Sequence, residues 1–181
     1  MYPIQSHYQE AIKFATYRHI RKRQKVKGTK LPYVVHLSNV AMELLVASRN
    51  TRDFDLDYAL QVALLHDTVE DTDTTLDEIE EHFGSTIADG VLAMTKNTKL
   101  PKEMQIPDSL IRIKKMRNEI WAVKLADRIA NLQAPPSKWH KGKVRKYQEE
   151  SRLIHHALKD GNKFLAKRLY DVIKDYDKYL S

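Results

Sequence analysis

Apolar side chains recur three and four positions apart along almost the whole chain, and this spacing constrains the fold more than any other feature. Ile4, Tyr8, Ala11, Ile12 and Ala15 make one such stripe, and His36, Val40, Leu44 and Ser48 another. Positions three and four apart share a helix face, whereas a half-buried strand needs alternation. Alternating β-branched residues are rare, and glycine occurs only 5 times. The chain therefore reads as all-α, a compact helical bundle. Its 181 residues suffice for one domain with a real core. Residues 1–181 are expected to form a single unit, with the motifs at about 25–150 and C-terminal helices over 137–179 packed on them.

The spacing predicts a first helix over 3–24 and then a basic loop from Lys25 to Leu31 around Gly28. Pro32 opens a second helix, as proline can in a first turn. Asp55 or Asp57 caps a third that runs through Leu60 and Leu64 into His66-Asp67. Thr75-Leu76-Asp77-Glu78 has capping-box spacing and starts a short helix ending near Gly84. Another follows over 86–95. Residues 97–107 read as a loop with two prolines, after which Asp108 or Ser109 caps a helix. The next contains Ile120 to Leu132 and ends before Pro135-Pro136. Trp139, Lys143 and Tyr147 fall at four-residue spacing on the helix after that, and residues 160–179 make the last.

No apolar run approaches the roughly 18 residues of a membrane span. Met1 to Glu10 is polar and lacks a signal-peptide core. Cysteine is absent, which removes disulfides and thiolate metal sites. A cytoplasmic protein is the simplest fit.

The net charge of +7 is less informative than its distribution. Lys13, Arg18, Arg21, Lys22, Arg23, Lys25, Lys27 and Lys30 fall in a stretch without acids, between Glu10 and Glu43. Between Arg52 and Lys96 the pattern reverses: acids are dense and Lys and Arg are absent. Lys138 to Lys146 is basic again. An acidic centre suits a cation and basic flanks suit a polyanion, so a phosphorylated substrate bridged by a metal would use both.

The acidic centre holds Ala63-Leu64-Leu65-His66-Asp67-Thr68-Val69-Glu70-Asp71. On one continuous helix His66 would neighbour Glu70, and Asp67 would neighbour both Glu70 and Asp71. Four groups able to bind a cation or move a proton would share one patch. Asp127, set among Val123, Leu125, Ala126 and Ala130, is costly to bury without a cation or an ion pair. Lys124 and Arg128 are the nearby candidates for such a pair. Asn131 lies one turn beyond Asp127. His36 sits on the apolar side of its helix, where a packed core histidine and a metal ligand are both open readings.

The ordered set His36, His66-Asp67 with Glu70-Asp71, and Asp127 with Asn131 resembles the HD phosphohydrolase superfamily. More narrowly it is similar to the hydrolase domain of Rel/SpoT-type alarmone enzymes in their stand-alone form, the small alarmone hydrolases. The matching words are Pro32-Tyr33-Val34-Val35-His36, Leu64 to Asp71 and Val123 to Leu132, within a resemblance covering roughly residues 8–158. It implies an HD-domain bundle in which His36, His66, Asp67 and Asp127 hold one divalent ion, manganese. The N/O donor chemistry alone would also admit iron, zinc, nickel or cobalt. It further implies that Glu70 and Asp71 orient a water and take its proton. The reaction is hydrolysis of the 3′-pyrophosphate of guanosine tetra- and pentaphosphate, giving pyrophosphate and GDP or GTP. Asn131 is expected to contact the nucleotide near the metal, with Lys124 beside it, and Lys143 and Tyr147 to hold the sugar and terminal phosphates.

Two departures bear on the base. Where the family has an Arg-Lys pair against it, this chain has Gln24-Lys25, with Arg23 just before. Ala134 stands where many long enzymes place a hydroxyl that reads guanine. Adenine alarmones and NADPH are therefore alternative substrates. The expected partner is a small nucleotide, with neither membrane nor nucleic acid. A reading of another class, a basic module that binds RNA or a nucleotide without turnover, rests on the same cationic flanks. It leaves the recurrence of acids and histidines without a purpose.

Overall fold

A computed structural model describes residues 3–180. The chain folds into α1 (Pro3–Arg21), α2 (Val34–Ser48), α3 (Leu56–Leu65), α4 (Thr68–Asp71), α5 (Leu76–Phe83), α6 (Ser85–Met94), α7 (Lys102–Ile113), α8 (Asn118–Asn131), α9 (Lys141–Leu158) and α10 (Lys163–Asp175). A 3₁₀ turn, Tyr176–Tyr179, follows. Among the described residues the β-type pairing is a single bridge between Lys25 and Pro32, so the all-α expectation holds.

The molecule is built around α8. Eleven of its residues, from Glu119 to Arg128 and on to Ala130, are buried, which a helix tolerates only when enclosed on most sides. It packs against α2, α3, α6, α9 and α10, while α1 covers α2 and α3. Leu37, Val40, Leu44, Val62 to Leu65, Ile120, Val123 and Leu125 fill the space between them. Among the described residues no helix is long and apolar enough to cross a membrane.

Several helix limits differ from expectation for identifiable reasons. α1 stops at Arg21 because Arg23 turns into the left-handed region at φ 53°. Arg23 N–H then donates to the Ile20 carbonyl (2.8 Å) and Gln24 N–H to the His19 carbonyl (3.0 Å). This pair of bonds closes a helix C-terminus, usually with glycine at the turning residue. α2 starts at Val34, because Pro32 is engaged in the bridge to Lys25. α7 begins at Lys102 and carries Pro107 inside it, so the expected loop over 97–107 ends early. A proline six residues into a helix removes one hydrogen bond, to the carbonyl four residues back. Trp139 precedes α9, rather than standing on it as expected.

The caps at the acidic centre match the sequence. Asp55 accepts from Tyr58 N–H at 3.1 Å. Thr75 and Glu78 make both bonds of a capping box, at 3.2 and 2.9 Å.

Candidate active site

α3 is buried along its last turns and ends at Leu65. The chain then turns at Asp67 (φ −100°, ψ −1°) and restarts as the single turn of α4. The expectation of one helix carrying His66, Asp67, Glu70 and Asp71 is thus corrected. Thr68 Oγ1 donates to the Leu65 carbonyl at 2.6 Å and Thr72 Oγ1 to the Thr68 carbonyl at 2.6 Å. These hydroxyls offer the backbone an alternative to a continued helix.

The break gathers a donor set. His66 Nδ1 lies 2.6 Å from the Ala63 carbonyl. A carbonyl only accepts, so Nδ1 carries a hydrogen and Nε2 is the ring nitrogen left to face a metal. Nε2 of His66 lies 3.0 Å from Asp67 Oδ2 and 3.6 Å from Asp127 Oδ1. Nε2 of His36, brought in by the first turn of α2, lies 3.8 Å and 3.4 Å from the same two oxygens. Both imidazoles are buried, and neither Nε2 has a hydrogen-bond partner among the described residues. Buried nitrogens are seldom left so. Two unpartnered ring nitrogens facing two carboxylate oxygens suit a divalent cation. His36, His66 and Asp67 each bring one ligand atom within 4.8 Å of the others, and Asp127 faces both imidazoles from α8.

The surrounding groups hold these donors. Tyr33 O–H donates to Asp67 Oδ2, and burial followed by the Asp67 charge pushes the phenol pKa up. Lys124 Nζ donates to Asp127 Oδ2 at 3.1 Å and Asn131 Nδ2 to Asp127 Oδ1 at 2.5 Å. Burial opposes charge on Asp127, but Lys124 and the two imidazoles outweigh it and keep the carboxyl well below the usual carboxylate range. Burial likewise opposes charge on Asp67, and His66 overcomes it. The expected ion pair for Asp127 is therefore with Lys124; Arg128 does not join it.

Beyond the donor set stand the two other carboxylates. Glu70 accepts from Lys96 N–H at 3.0 Å and Lys96 Nζ at 2.5 Å. Asp71 Oδ2 accepts from Gln24 Nε2 at 2.6 Å, and Gln24 Oε1 lies 2.6 Å from His19 Nδ1. Burial and the Asp67 charge raise the Asp71 pKa, against the bond from Gln24. Sequence reasoning missed Lys96 and Gln24 as partners of this pair. Lys96 had a signal, since it is the first cation after the long acidic stretch. Gln24 had none, because its aim depends on the left-handed turn at Arg23.

Tyr33, His36, Asp67, Asp127, Glu70, Asp71, Gln24 and Lys96 line one open cleft of about 690 Å³, within the size of small-ligand sites, while His66 and His19 are buried and are not among its lining residues. Lys25, Lys124, Asn131, Lys143 and Tyr147 line it too, as does Ala134. Arg23 is exposed on the turn after α1 and is not among the lining residues. Lys102, Gln105 and Ile106, expected in a loop, reach the cleft from the first turns of α7. Acids cluster at the floor, and Lys25, Lys27, Lys96, Lys143 and Lys146 stand around them.

A family model described as HD domain matches residues 11–163. The chain belongs to the HD domain family. It is similar to guanosine-3′,5′-bis(diphosphate) 3′-pyrophosphohydrolase MESH1 of Mus musculus, 34% identical over 171 residues and 92% of each chain. The Homo sapiens MESH1 is 35% identical over 170 residues, covering 91% of this chain and 92% of that one. A solved structure described as a metazoan ortholog of SpoT that hydrolyzes ppGpp superposes with a TM-score of 0.82 at 26% identity, covering 100% of this chain and 99% of the other. The structure of lmo0812 from Listeria monocytogenes EGD-e, at 24% identity and a TM-score of 0.65 over 82% of this chain, shares the fold.

Proposed function

We propose that this chain is a metal-dependent phosphohydrolase that cleaves the 3′-pyrophosphate of guanosine 3′,5′-bis(diphosphate) and related nucleotides, releasing pyrophosphate and GDP or GTP. The observation that carries the reading is the pair of buried, unpartnered Nε2 atoms of His36 and His66 facing Asp67 and Asp127, with two further carboxylates one turn away. The MESH1 relatives, named for that reaction and matching nearly end to end, support it.

His36, His66, Asp67 and Asp127 would hold the ion. When bound, it supplies Lewis acidity toward a phosphoryl oxygen and toward water. Manganese is the ion proposed, on the family resemblance and the mixed N/O donors. Glu70 and Asp71 orient the attacking water and take its proton. Lys96 fixes Glu70 through two bonds, and the raised pKa of Asp71 strengthens it as a proton acceptor. Asn131 and Lys124 hold Asp127 and flank the nucleotide, Lys143 with Tyr147 takes the sugar and outer phosphates, and Lys25, with Arg23 at its margin, serves the base.

A second reading of the base has its own support. Gln24 is engaged with His19 and Asp71, and Ala134 offers the cleft no hydrogen-bonding side chain. Neither position would reject adenine, so adenosine 3′-pyrophosphates and NADPH belong in the same panel. The test is product analysis with manganese against guanosine and adenosine 3′-pyrophosphates, NADPH and simple nucleotides. Pyrophosphate release from the guanosine substrate is expected. Turnover of NADPH alone, or RNA binding without turnover of any nucleotide, would overturn the reading.

A further inference from the structure

Several cations in the cleft have no use in this scheme, and Arg128 is the most buried of them. Arg128 lies on α8, one residue beyond Asp127, and is 6% exposed. Its Nε and Nη1 have no hydrogen-bond partner among the described residues. Lys124, one turn earlier, is engaged with Asp127, whereas the Arg128 guanidinium lies over the Tyr147 ring, 4.5 Å from its centroid. A buried guanidinium cannot shed its charge, and burying it without an anion is costly. An aromatic face offsets only part of that cost.

Two more cations meet it across the rings. Tyr147 packs edge-on against Trp139, with centroids 5.3 Å apart. Lys27 Nζ lies 4.7 Å and Lys143 Nζ 4.8 Å from the centroid of Trp139. Lys27 arrives on the loop around Gly28, where a Cβ would come within 2.8 Å of Pro136 Cγ, so the loop is seated directly on the Pro135-Pro136 turn. Three cations thus gather on one aromatic pair at the cleft wall, with Glu150 the acid nearby. Partial burial, then repulsion from Lys143, Lys96 and Arg128, lowers the Lys27 pKa against the opposing pull of Glu150, as expected where like charges outnumber the acid beside them.

We propose that Arg128 and Lys27, set on Tyr147 and Trp139 beside Lys143, are further phosphate-binding residues of the cleft and take, with Lys143, a phosphate group of the substrate other than the one under attack. The planar guanidinium gives two parallel N–H donors to phosphate oxygens, and the lysines add charge. The inference rests on the reading of the substrate as a 3′-pyrophosphorylated nucleotide. Such a molecule offers two sources of this group: its 5′-phosphates, and the terminal phosphate of the 3′-pyrophosphate.

The test uses the full chain, with Arg128→Gln and, separately, Lys27→Gln. Lys27 is exposed on a loop, so its variant folds even if loss of Arg128 disturbs α8. Hydrolysis is measured on guanosine 3′-pyrophosphates carrying a 5′-hydroxyl, a 5′-monophosphate or a 5′-diphosphate, and inhibition by inorganic pyrophosphate is measured alongside. Calorimetric titration with GDP and with inorganic pyrophosphate gives binding without turnover. If the subsite takes 5′-phosphates, kcat/KM for the 5′-diphosphate substrate falls about ten- to a hundredfold. The 5′-hydroxyl substrate then changes little, and GDP binding weakens by a like factor. If it takes the terminal 3′-phosphate, all substrates fall together and pyrophosphate binding weakens instead. Unchanged kinetics and unchanged binding of both ligands in Lys27→Gln and folded Arg128→Gln would overturn the subsite. Failure of the wild-type chain to cleave any 3′-pyrophosphate would overturn the substrate reading, while calorimetry would still decide whether the subsite exists.

Discussion

At the residue scale the acidic groups fall into two proposed sets, Asp67 and Asp127 to hold an ion and Glu70 and Asp71 to move a proton. His66→Ala removes one unpartnered ring nitrogen and leaves α3 capped by Asp55. It should abolish both metal content and hydrolysis while helical circular dichroism persists; a full metal load in that variant would contradict the assignment. Glu70→Gln with Asp71→Asn should keep the ion and still bind nucleotide while turnover falls at least about a hundredfold, the usual size of a positioned general base. Equilibrium binding beside single-turnover rates checks this. His19 gives a pH prediction. Burial lowers its pKa despite the bond to Gln24, so the unfolded chain takes up a proton, near the ordinary 6.5 of histidine, before the folded chain does. Stability from this group is therefore complete above about pH 6.5 and is lost as pH falls below it, toward the depressed folded value. His19→Asn places an amide nitrogen near the position of Nδ1 and does not titrate. Its denaturant midpoint should fall less between pH 7.5 and 5.5 than that of the wild type, and parallel losses would contradict the assignment.

At the element scale, what the sequence made legible was whatever depends on neighbours along the chain. Thr75 with Glu78, Asp55 before α3 and the stripes of α2 and α8 could all be read from spacing. The break between α3 and α4 could not, because His66-Asp67 continues the helical pattern and only the hydroxyls of Thr68 and Thr72 favour the turn. The end of α1 was hidden for a related reason: an arginine occupies a left-handed position where glycine would have announced the stop. Pro107 misled in the other direction, reading as a loop while tolerated within α7. Thr75→Ala should remove one half of the capping box and cost about 1 kcal/mol, read as a lower denaturant midpoint with catalysis intact. Gly28→Ala meets both a φ of +80° and the Pro136 ring. It should displace the loop carrying Lys25 and Lys27 and so raise KM, while the midpoint of unfolding, set by helices elsewhere, changes little.

At the scale of the whole molecule, α8 joins core and chemistry. One helix supplies the central packing surface, the Asp127 carboxylate with its Lys124 and Asn131 partners, and the unpaired Arg128, while α2 and the α3–α4 break bring the two imidazoles to it. The donor types and their order were legible in the sequence. Their convergence required the fold, as did the roles of Gln24, Lys96 and Arg128, which come from segments distant in sequence or from a residue read as an ion-pair partner. The charge pattern is consistent with this: acids gather on the floor of the cleft and cations around them, as a metal-bridged polyphosphate demands. The most direct test is phosphorus NMR of guanosine 3′,5′-bis(diphosphate) incubated with chelator-stripped protein, before and after manganese is restored. GDP and free pyrophosphate are expected only after the metal returns, and neither product with His66→Ala. Equal hydrolysis by the stripped protein, or release of single phosphates in place of pyrophosphate, would contradict it.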